Sequence, residues 1–406
     1  MRSRRMMIMF LLLRPVLNVW LRWRFRLVIH RHGAAARLRP PFLVLANHVN
    51  FWDPFLLVLP FDREVHFLSA DGNFRSRVMR WLMEGVGAVP KAKARTDMES
   101  LHRLRHHAAE RGIVALFPEG QRTWDGHSRG MLPATPKLAR LLRVPVVMVH
   151  LRGAYLSTPR WATSLRRGRL EMHVWQVLSR HEVRSLPLGE ITRRIADALE
   201  FDEGRWQERT GVRFVARNRA EHMERAFFRC PECGGWDTIR SRGDEVRCTA
   251  CTFRAWFAPS GRLYSRSARS TTGASAALPP VFRSHQWNRW QLETLRQSLE
   301  AGGNGALPYR VPAVYYLTGY RSRPLRPRGM VELALTSTHL TLGGDGIDVR
   351  IPVADLRGVN VQYAAQLEFY TDGRLHVLRM QRPQDSAYRI EVTIGMLQEL
   401  YKPTKH

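Results

Sequence analysis

A histidine and an aspartate with four residues between them are the first side chains that suggest chemistry. His48 and Asp53 follow directly on the apolar run Phe42–Leu45. Pro54 comes next, and Asp-Pro is typical of a helix N-cap and first helical residue. The spacing lets the Asp53 carboxylate fold back onto one imidazole nitrogen and leave the other as a base. Taken alone, the spacing fits a loop histidine next to a helix-capping aspartate as well as it fits a catalytic pair.

A second candidate segment follows the apolar run Ile113–Phe117 and reads Pro-Glu-Gly-Gln-Arg. Gly120 allows the backbone to approach a ligand closely, and the Arg122 guanidinium can bond phosphate oxygens in pairs. Glu119 can accept a hydrogen bond from a glycerol hydroxyl or orient Arg122. The alternative is a strand-to-helix turn with a surface arginine.

The elements around these segments alternate between strand and helix patterns. Four apolar runs have the length of strands: Phe42–Leu45, Val65–Leu68, Ile113–Phe117 and Val144–Val149. Helical spacing lies between them, and one helix is expected to begin near Asp97. This alternation predicts an α/β domain with a mainly parallel sheet over residues 41–225. His48 then lies at a strand's C-terminal end, where open sheets of this type bind ligands.

Together these segments resemble the glycerolipid acyltransferases, typified by 1-acylglycerol-3-phosphate acyltransferases. Four family blocks occur in the family's order: His48 to Asp53, Gly87–Lys91, Phe117–Gly120 and Val144–Val147. The resemblance covers residues 10–200 and implies that His48 is a general base oriented by Asp53. It also implies that the substrate-binding residues are Glu119, Gly120, Arg122, Lys91 and Lys93. Two positions depart from the family pattern, which usually has arginine at 91 and threonine at 121.

The reaction implied by the resemblance is acyl transfer in phospholipid biosynthesis. A fatty acyl group would pass from acyl-CoA or acyl carrier protein to the free hydroxyl of 1-acylglycerol-3-phosphate or a related lysophospholipid. The substrate alcohol would take the place that a serine holds in a hydrolytic triad. We therefore expect no catalytic cofactor and no acyl-enzyme.

The charge distribution points to an anionic membrane surface. The chain carries 64 Lys and Arg against 35 Asp and Glu, a net charge of +29, and residues 1–52 hold ten arginines and no acid. The apolar run Met6–Leu13 is shorter than the roughly 20 residues that span a bilayer, and no convincing signal-peptide cleavage site follows. Tryptophans among the arginines, at 20 and 23, are typical of interfacial helices.

We therefore predict membrane-binding helices over residues 1–40 and a peripheral or monotopic protein on the cytoplasmic face. A packed helix or an organelle transit peptide is the alternative.

All four cysteines of the chain lie in one short segment. Cys230 with Cys233 and Cys248 with Cys251 form two CxxC pairs, a spacing that can place four thiolates around one zinc ion. The spacing predicts a structural zinc ribbon over residues 226–258. Two disulfides are the alternative, which would need an oxidising compartment.

The remaining sequence changes character twice. Residues 259–300 are predicted to be a linker, rich in Ser, Arg, Ala and Thr, and then a helix. Period-two alternation such as Val331, Leu333 and Leu335 predicts a β-rich domain over 301–406. Its pattern is similar to a pleckstrin-homology domain, which implies docking to a membrane or protein.

A rival interpretation is a basic zinc-ribbon adaptor that binds nucleic acid or protein and carries an inactive acyltransferase-like domain. Concentration of arginine in the aromatic N-terminal segment, rather than beside the ribbon, disfavours this interpretation. Nucleic acid is accordingly not an expected partner.

Overall fold

The structure is a computed structural model. It describes residues 4–61, 63, 65–85, 87–91, 98–110, 112–266, 278–302, 306–320, 323–344 and 346–401. The chain divides into two compact units. Unit 1 comprises Met1–Arg160 and Leu165–Val215, and unit 2 comprises Trp161–Ser164 and Ala216–His406.

Unit 1 is built on a seven-stranded sheet. Its strands are β1 (Val28–Arg31), β2 (Phe42–Ala46), β3 (Val65–Ala70), β4 (Ala88–Lys91), β5 (Ile113–Leu116), β6 (Val146–Arg152) and β7 (Glu171–Leu178). The order is β1-β7-β6-β2-β5-β3-β4. Only β6 and β7 pair in antiparallel fashion, so the predicted mainly parallel sheet is present.

Nine helices of unit 1 are described. They are α1 (Arg4–Phe25), α2 (Asp53–Leu57), α3 (Arg77–Gly85), α4 (Met98–Ala109), α5 (Ala134–Leu142), α6 (Ala154–Ser157), α7 (Arg180–Ser185), α8 (Leu188–Leu199) and α9 (Glu203–Thr210). Asp97, where a helix was expected to begin, lies outside the described residues. No described helix is long and apolar enough to cross a membrane.

The apolar runs are strands because the sheet buries both of its faces. Every residue of β2 is buried. Val44 and Ala46 join one core cluster, whereas Leu43 and Leu45 join the cluster on the other face. Parallel strands covered on both faces show such continuous apolar sequence. The sheet also includes β1, so it begins ahead of residue 41, the predicted start of the domain.

Unit 2 contains two antiparallel sheets. The first has the order β12-β11-β10-β9-β8 and comprises β8 (Ile239–Arg242), β9 (Glu245–Cys248), β10 (Arg254–Phe257), β11 (Arg262–Ser265) and β12 (Val281–Arg283). Helix α10 (Ser284–Glu300) follows. Strand β11 falls within the predicted linker, and residues 267–277 are not among those described.

The second sheet of unit 2 forms the β-rich C-terminal region. Its order is β16-β15-β14-β13-β19-β18-β17. It comprises β13 (Tyr309–Gly319), β14 (Arg326–Leu335), β15 (His339–Gly344), β16 (Ile347–Pro352), β17 (Arg357–Gln362), β18 (Gln366–Thr371) and β19 (Arg374–Met380), followed by α11 (Ala387–Leu400).

Candidate active site

The loop after β2 brings the two predicted residues into contact. His48 Nδ1 lies 2.7 Å from Asp53 Oδ2, and the same oxygen accepts the backbone N–H groups of Val49 at 2.6 Å and Asn50 at 2.9 Å. The Asp53 carboxylate is therefore turned back onto the loop. The expectation that Asp53 caps α2 is wrong, because α2 begins at Asp53 and Trp52 occupies the cap position without a side-chain bond.

This geometry prepares the imidazole to accept a proton. A carboxylate at Nδ1 holds the proton there and leaves Nε2 with its lone pair. The His48 side chain is 21% exposed, while that of Asp53 is fully buried. Burial lowers the pKa of His48; the hydrogen bond that His48 donates to Asp53 opposes this shift, and Arg122 and Arg160 add to it. The neutral form is therefore favoured at neutral pH.

The Glu119 carboxylate braces two loops. Its Oε1 accepts the N–H of His48 at 2.9 Å, and its Oε2 accepts the N–H of Arg129 at 2.7 Å. Because β2 and β5 are parallel neighbours, the loops that follow them meet at one edge of the sheet. Burial raises the pKa of Glu119 to about 7, against the two backbone hydrogen bonds. The predicted contact of Glu119 with a glycerol hydroxyl or with Arg122 stays a prediction.

Gly120 is needed for the turn that carries Arg122. Its φ is +71°, a conformation that other residues rarely adopt, and an added Cβ would lie 2.8 Å from Leu132 Cδ1. Its N–H donates to the Phe117 carbonyl at 3.1 Å. The Phe117 ring in turn stacks on the His48 imidazole with centroids 4.2 Å apart. The turn therefore also supports the face of the proposed base.

A second arginine, which the sequence analysis did not identify, lies close to this loop. Arg160 is buried, and its guanidinium carbon lies 4.2 Å from the centroid of the Trp124 ring. Its Nη1 donates to the Arg122 carbonyl at 3.0 Å. Its effect on the pKa of His48 places its charge within electrostatic reach of the imidazole. No local motif marks Arg160, because it reaches the site from a distant part of the chain.

Two buried asparagines, Asn47 and Asn50, fix the loop that contains His48. Asn47 exchanges hydrogen bonds with the Leu151 backbone, at 2.8 Å from the N–H and 3.3 Å to the carbonyl. Asn50 Nδ2 donates to the Ala154 carbonyl at 2.9 Å. Both flank His48 in sequence, which was the available signal for their role. The loop is thereby tied to the segment that follows β6.

The structure says little about the two lysines that were predicted to bind substrate. Lys91 is the last residue of β4, and only its backbone is described. Lys93 lies outside the described residues. Their proposed part in holding phosphate stays a prediction.

Helix α1 contacts the same loop and exposes an apolar stripe. The Trp52 ring lies 5.2 Å from that of Trp20 and 6.2 Å from that of Phe25. Among residues 15–25, the part of the helix whose side chains are described, Leu21 and Phe25 are buried and four apolar residues are exposed: Val16, Val19, Trp20 and Trp23. Their spacing of three and four residues places them on one face.

In unit 2 the four cysteine sulfurs form a compact cluster. Cys230 Sγ lies 3.6 Å from Cys251 Sγ, and Cys233 Sγ lies 3.8 Å from Cys248 Sγ. All four sulfurs are within 4.8 Å of one another. Sulfurs around a tetrahedral zinc ion, at about 2.3 Å from it, lie about 3.8 Å apart. Disulfide sulfurs lie about 2.05 Å apart, so the four thiols are free in this arrangement and suit a metal.

Comparison with known proteins finds one family match, which lies within unit 1. Residues 28–152 match the family model described as Acyltransferase. A 1-acyl-sn-glycerol-3-phosphate acyltransferase from Chlamydomonas reinhardtii is 30% identical over 141 residues, which are 34% of this chain and 42% of that protein. The chain thus spans less than half the length of this curated relative.

Two solved structures are similar in part. The 1-acyl-sn-glycerophosphate (LPA) acyltransferase PlsC from Thermotoga maritima aligns with 49% of this chain and 84% of its own, with 20% identity and a TM-score of 0.36. The N-terminal PH domain of human ARAP2 aligns with 24% of this chain and 85% of its own, with 13% identity and a TM-score of 0.18. The segment that matches the Acyltransferase family model, residues 28–152, contains His48, Asp53 and Arg122.

Proposed function

We propose that this protein transfers a fatty acyl group from a thioester donor to the free hydroxyl of a lysophospholipid such as 1-acylglycerol-3-phosphate. The observation that carries the proposal is the 2.7 Å contact between His48 Nδ1 and the buried Asp53 carboxylate. It lies within the segment that matches the acyltransferase family. The name of the algal relative gives the same acceptor class.

The reaction follows from the atoms at this loop. His48 Nε2 accepts the proton of the acceptor hydroxyl while the hydroxyl oxygen attacks the thioester carbonyl carbon. The carbon–sulfur bond then breaks, and the imidazolium returns the proton to the departing thiolate. The products are an ester and a free thiol, and no group of the protein becomes acylated. Asp53 stabilises the imidazolium that forms between the two proton transfers.

The acceptor's phosphate is proposed to bind at Arg122 and Arg160. Arg160 donates to the Arg122 carbonyl, and both arginines lower the pKa of His48, which supports placing the phosphate on the same side of the site as the base. Arginine suits this task because its planar fork matches phosphate oxygens. Gly120 permits the backbone turn that delivers Arg122, and Glu119 fixes this turn relative to the His48 loop.

The test is acyl transfer by the purified full-length chain and by His48→Ala. A panel of lysophospholipids is incubated with acyl-CoA in one arm and acyl carrier protein thioester in another, and products are identified by mass spectrometry. We expect the wild type to acylate a phosphate-bearing lysolipid and His48→Ala to be at least ~100-fold slower, as for loss of a general base. His181→Ala, at an exposed histidine of α7, serves as the matched control.

Near-normal transfer by a folded His48→Ala protein would eliminate this mechanism. Absence of transfer by the wild type in both arms, together with nuclease-sensitive binding in cell fractions, would instead favour the adaptor.

The exposed stripe of α1 is proposed to bind an anionic membrane from the cytoplasmic side. Val16, Val19, Trp20 and Trp23 can enter the headgroup region, while the neighbouring arginines face anionic lipid. Trp20 contacts Trp52 in the His48 loop. An acceptor lipid held at the bilayer surface would therefore meet the base close to this helix.

The cysteine cluster of unit 2 is proposed to hold one structural zinc ion. Four thiolates occupy all the positions of a tetrahedral ion, which leaves no open position for a substrate. The ion would fix the turns that contain Cys230 and Cys251 and take no part in acyl transfer. The resemblance of the second sheet to a pleckstrin-homology domain stays a prediction.

A further inference from the structure

Three histidines and a glutamate lie together at the edge of the unit 1 sheet, apart from the His48 loop. His30 is on β1, the edge strand, and is the parallel partner of His173 on β7. Glu171 lies two residues before His173 on the same strand, so both side chains share one face of the sheet. His32 follows β1. Strands β7 and β6 separate β1 from β2 and its catalytic loop.

The side chains converge on a small volume. One donor atom from each of His30, Glu171 and His173 lies within 4.8 Å of the other two. The rings of His30 and His173 stack with centroids 4.6 Å apart, and Glu171 Oε2 is 3.3 Å from His173 Nε2. Donor atoms around a tetrahedral zinc ion lie roughly 3.4 Å apart.

We propose that His30, Glu171 and His173 form a second metal site, which binds a divalent ion of the zinc and nickel type. Two imidazoles and one carboxylate are ligands that these ions prefer. Calcium and magnesium require more oxygen ligands than this cluster offers. Three protein ligands leave a coordination position for water.

The groups around the cluster orient its donor atoms. His32 Nε2 lies 3.0 Å from His173 Nδ1, so a proton shared there leaves His173 Nε2 to face the ion. Trp206 Nε1 donates to Glu171 Oε2 at 3.2 Å, and Arg169 Nη2 pairs with Glu171 Oε1 at 2.8 Å. Metal-binding histidines and carboxylates are commonly fixed by such outer partners.

The neighbouring charges set the character of the site. Arg169 offsets the charge of Glu171, and Arg152 is a further cation close to His173. The ion is therefore held mainly by its bonds to imidazole and not by a negative field. We expect weaker binding here than at the four cysteines, where thiolate ligands supply charge.

A bound ion would fasten β1 to β7. β1 has four residues, is the edge strand of the described sheet and follows α1. A link between His30 and the two β7 ligands would hold this short edge strand in register. It would thereby fix the end of the helix proposed to bind the membrane.

The test counts zinc ions on the full-length chain by equilibrium dialysis against micromolar free Zn²⁺, followed by elemental analysis. We expect two ions per chain in the wild type and one in His30→Gln, in Glu171→Gln and in Cys233→Ser. The combined variant His30→Gln with Cys233→Ser should hold none. His181→Ala, an exposed histidine outside the cluster, should keep both ions.

A cobalt-substituted protein separates the two sites by a second measurement. Cys233→Ser should lose the thiolate-to-cobalt charge-transfer band and keep the weaker bands of a nitrogen and oxygen site, which His30→Gln should then remove. If folded His30→Gln and Glu171→Gln both bind as many ions as the wild type, the second site does not exist. This result would leave the acyltransferase proposal untouched, because no step of that reaction uses these residues.

Discussion

The charge of the proposed substrate would affect the proposed base. Arg122 and Arg160 lower the pKa of His48, which already falls because the ring is buried. A phosphate bound to these arginines would offset their charge and raise the pKa of His48 again. The imidazole would then become a stronger base when the acceptor is in place. Such tuning links recognition of the phosphate to removal of the hydroxyl proton.

This tuning predicts a pH effect of Arg122→Ala. A cation disfavours protonation of a neighbouring histidine, so its removal raises the pKa of His48. The wild-type acid limb of kcat/KM should lie below pH 6.5, the ordinary pKa of histidine, and should move to higher pH in Arg122→Ala. The pH dependence of kcat/KM measures both. Arg122→Lys, which keeps the charge, should leave the limb in place.

Arg122→Ala should also raise the acceptor KM more than the donor KM, because only the acceptor's phosphate is proposed to bind at Arg122. An unmoved acid limb together with a changed donor KM would show that Arg122 has another role.

At the scale of single residues, the sequence predicted which side chains meet better than it predicted what each of them does. The spacing of His48 and Asp53 correctly indicated that the two side chains can meet. It could not show which way the Asp53 carboxylate turns, because the competing partners were the backbone N–H groups of the loop itself. Arg160 was missed because nothing near it in sequence marks a site.

At the scale of elements, α1 presents two different faces. Leu21 and Phe25 pack into the core, whereas Val19 and Trp23 are 69% and 65% exposed. Exposed apolar side chains on one face, with arginines nearby, are typical of a helix that lies in the interface. Deleting the helix would remove core residues as well, so substitutions on the exposed face make the sharper test.

The double variant Val19→Gln with Trp23→Gln should bind vesicles of anionic lipid at least about tenfold more weakly, because two apolar side chains no longer enter the headgroup region. Vesicle sedimentation measures this binding. Val78→Gln on α3, another exposed apolar position, is the matched control and should bind as the wild type does. Equal binding by the double variant would place the membrane contact elsewhere in the chain.

Element prediction succeeded where burial alone decides the pattern. The strands around Phe42 and Ile113 are predictable because a sheet covered on both faces needs continuous apolar sequence. The sequence pattern predicts linker at β11, since its four residues Arg262–Ser265 include only two apolar side chains. Its partners β10 and β12, which complete its pairing, cannot be inferred from so short a segment.

At the scale of the whole molecule, the cysteine segment is packed against both later helices of unit 2. Trp287 Nε1 on α10 donates to the Arg229 carbonyl at 2.9 Å, and Arg389 on α11 forms an ion pair with Asp237. Asp237 and Arg389 are separated by 152 positions. The predicted division of residues 226–406 into three parts does not include these contacts, because the sequence contains no sign of such distant partners.

This packing predicts that loss of the proposed zinc ion would affect more than residues 226–258. In Cys233→Ser the loosened turn should weaken the Arg229 and Asp237 contacts, so amide exchange should accelerate in α10 and α11 as well as in residues 230–251. Hydrogen exchange with mass spectrometry measures each segment. Thr252→Ser, beside a cysteine but not a ligand, should exchange as the wild type does. Faster exchange confined to residues 228–258 would mean that this segment unfolds by itself.

The contacts of Arg389 affect whether the cysteine segment could be transferred to another gene by recombination. Its guanidinium lies over the Tyr309 ring at 4.2 Å and the Trp236 ring at 4.8 Å, and it donates to the Ala306 carbonyl at 2.8 Å. A recombination event that carried the cysteine segment into another gene without α11 would leave Asp237 without its counter-ion and Trp236 without this stacking partner. Small metal-bearing segments are often imagined as cassettes that move freely between genes. This one is expected to travel only together with the sheet and helix that follow it.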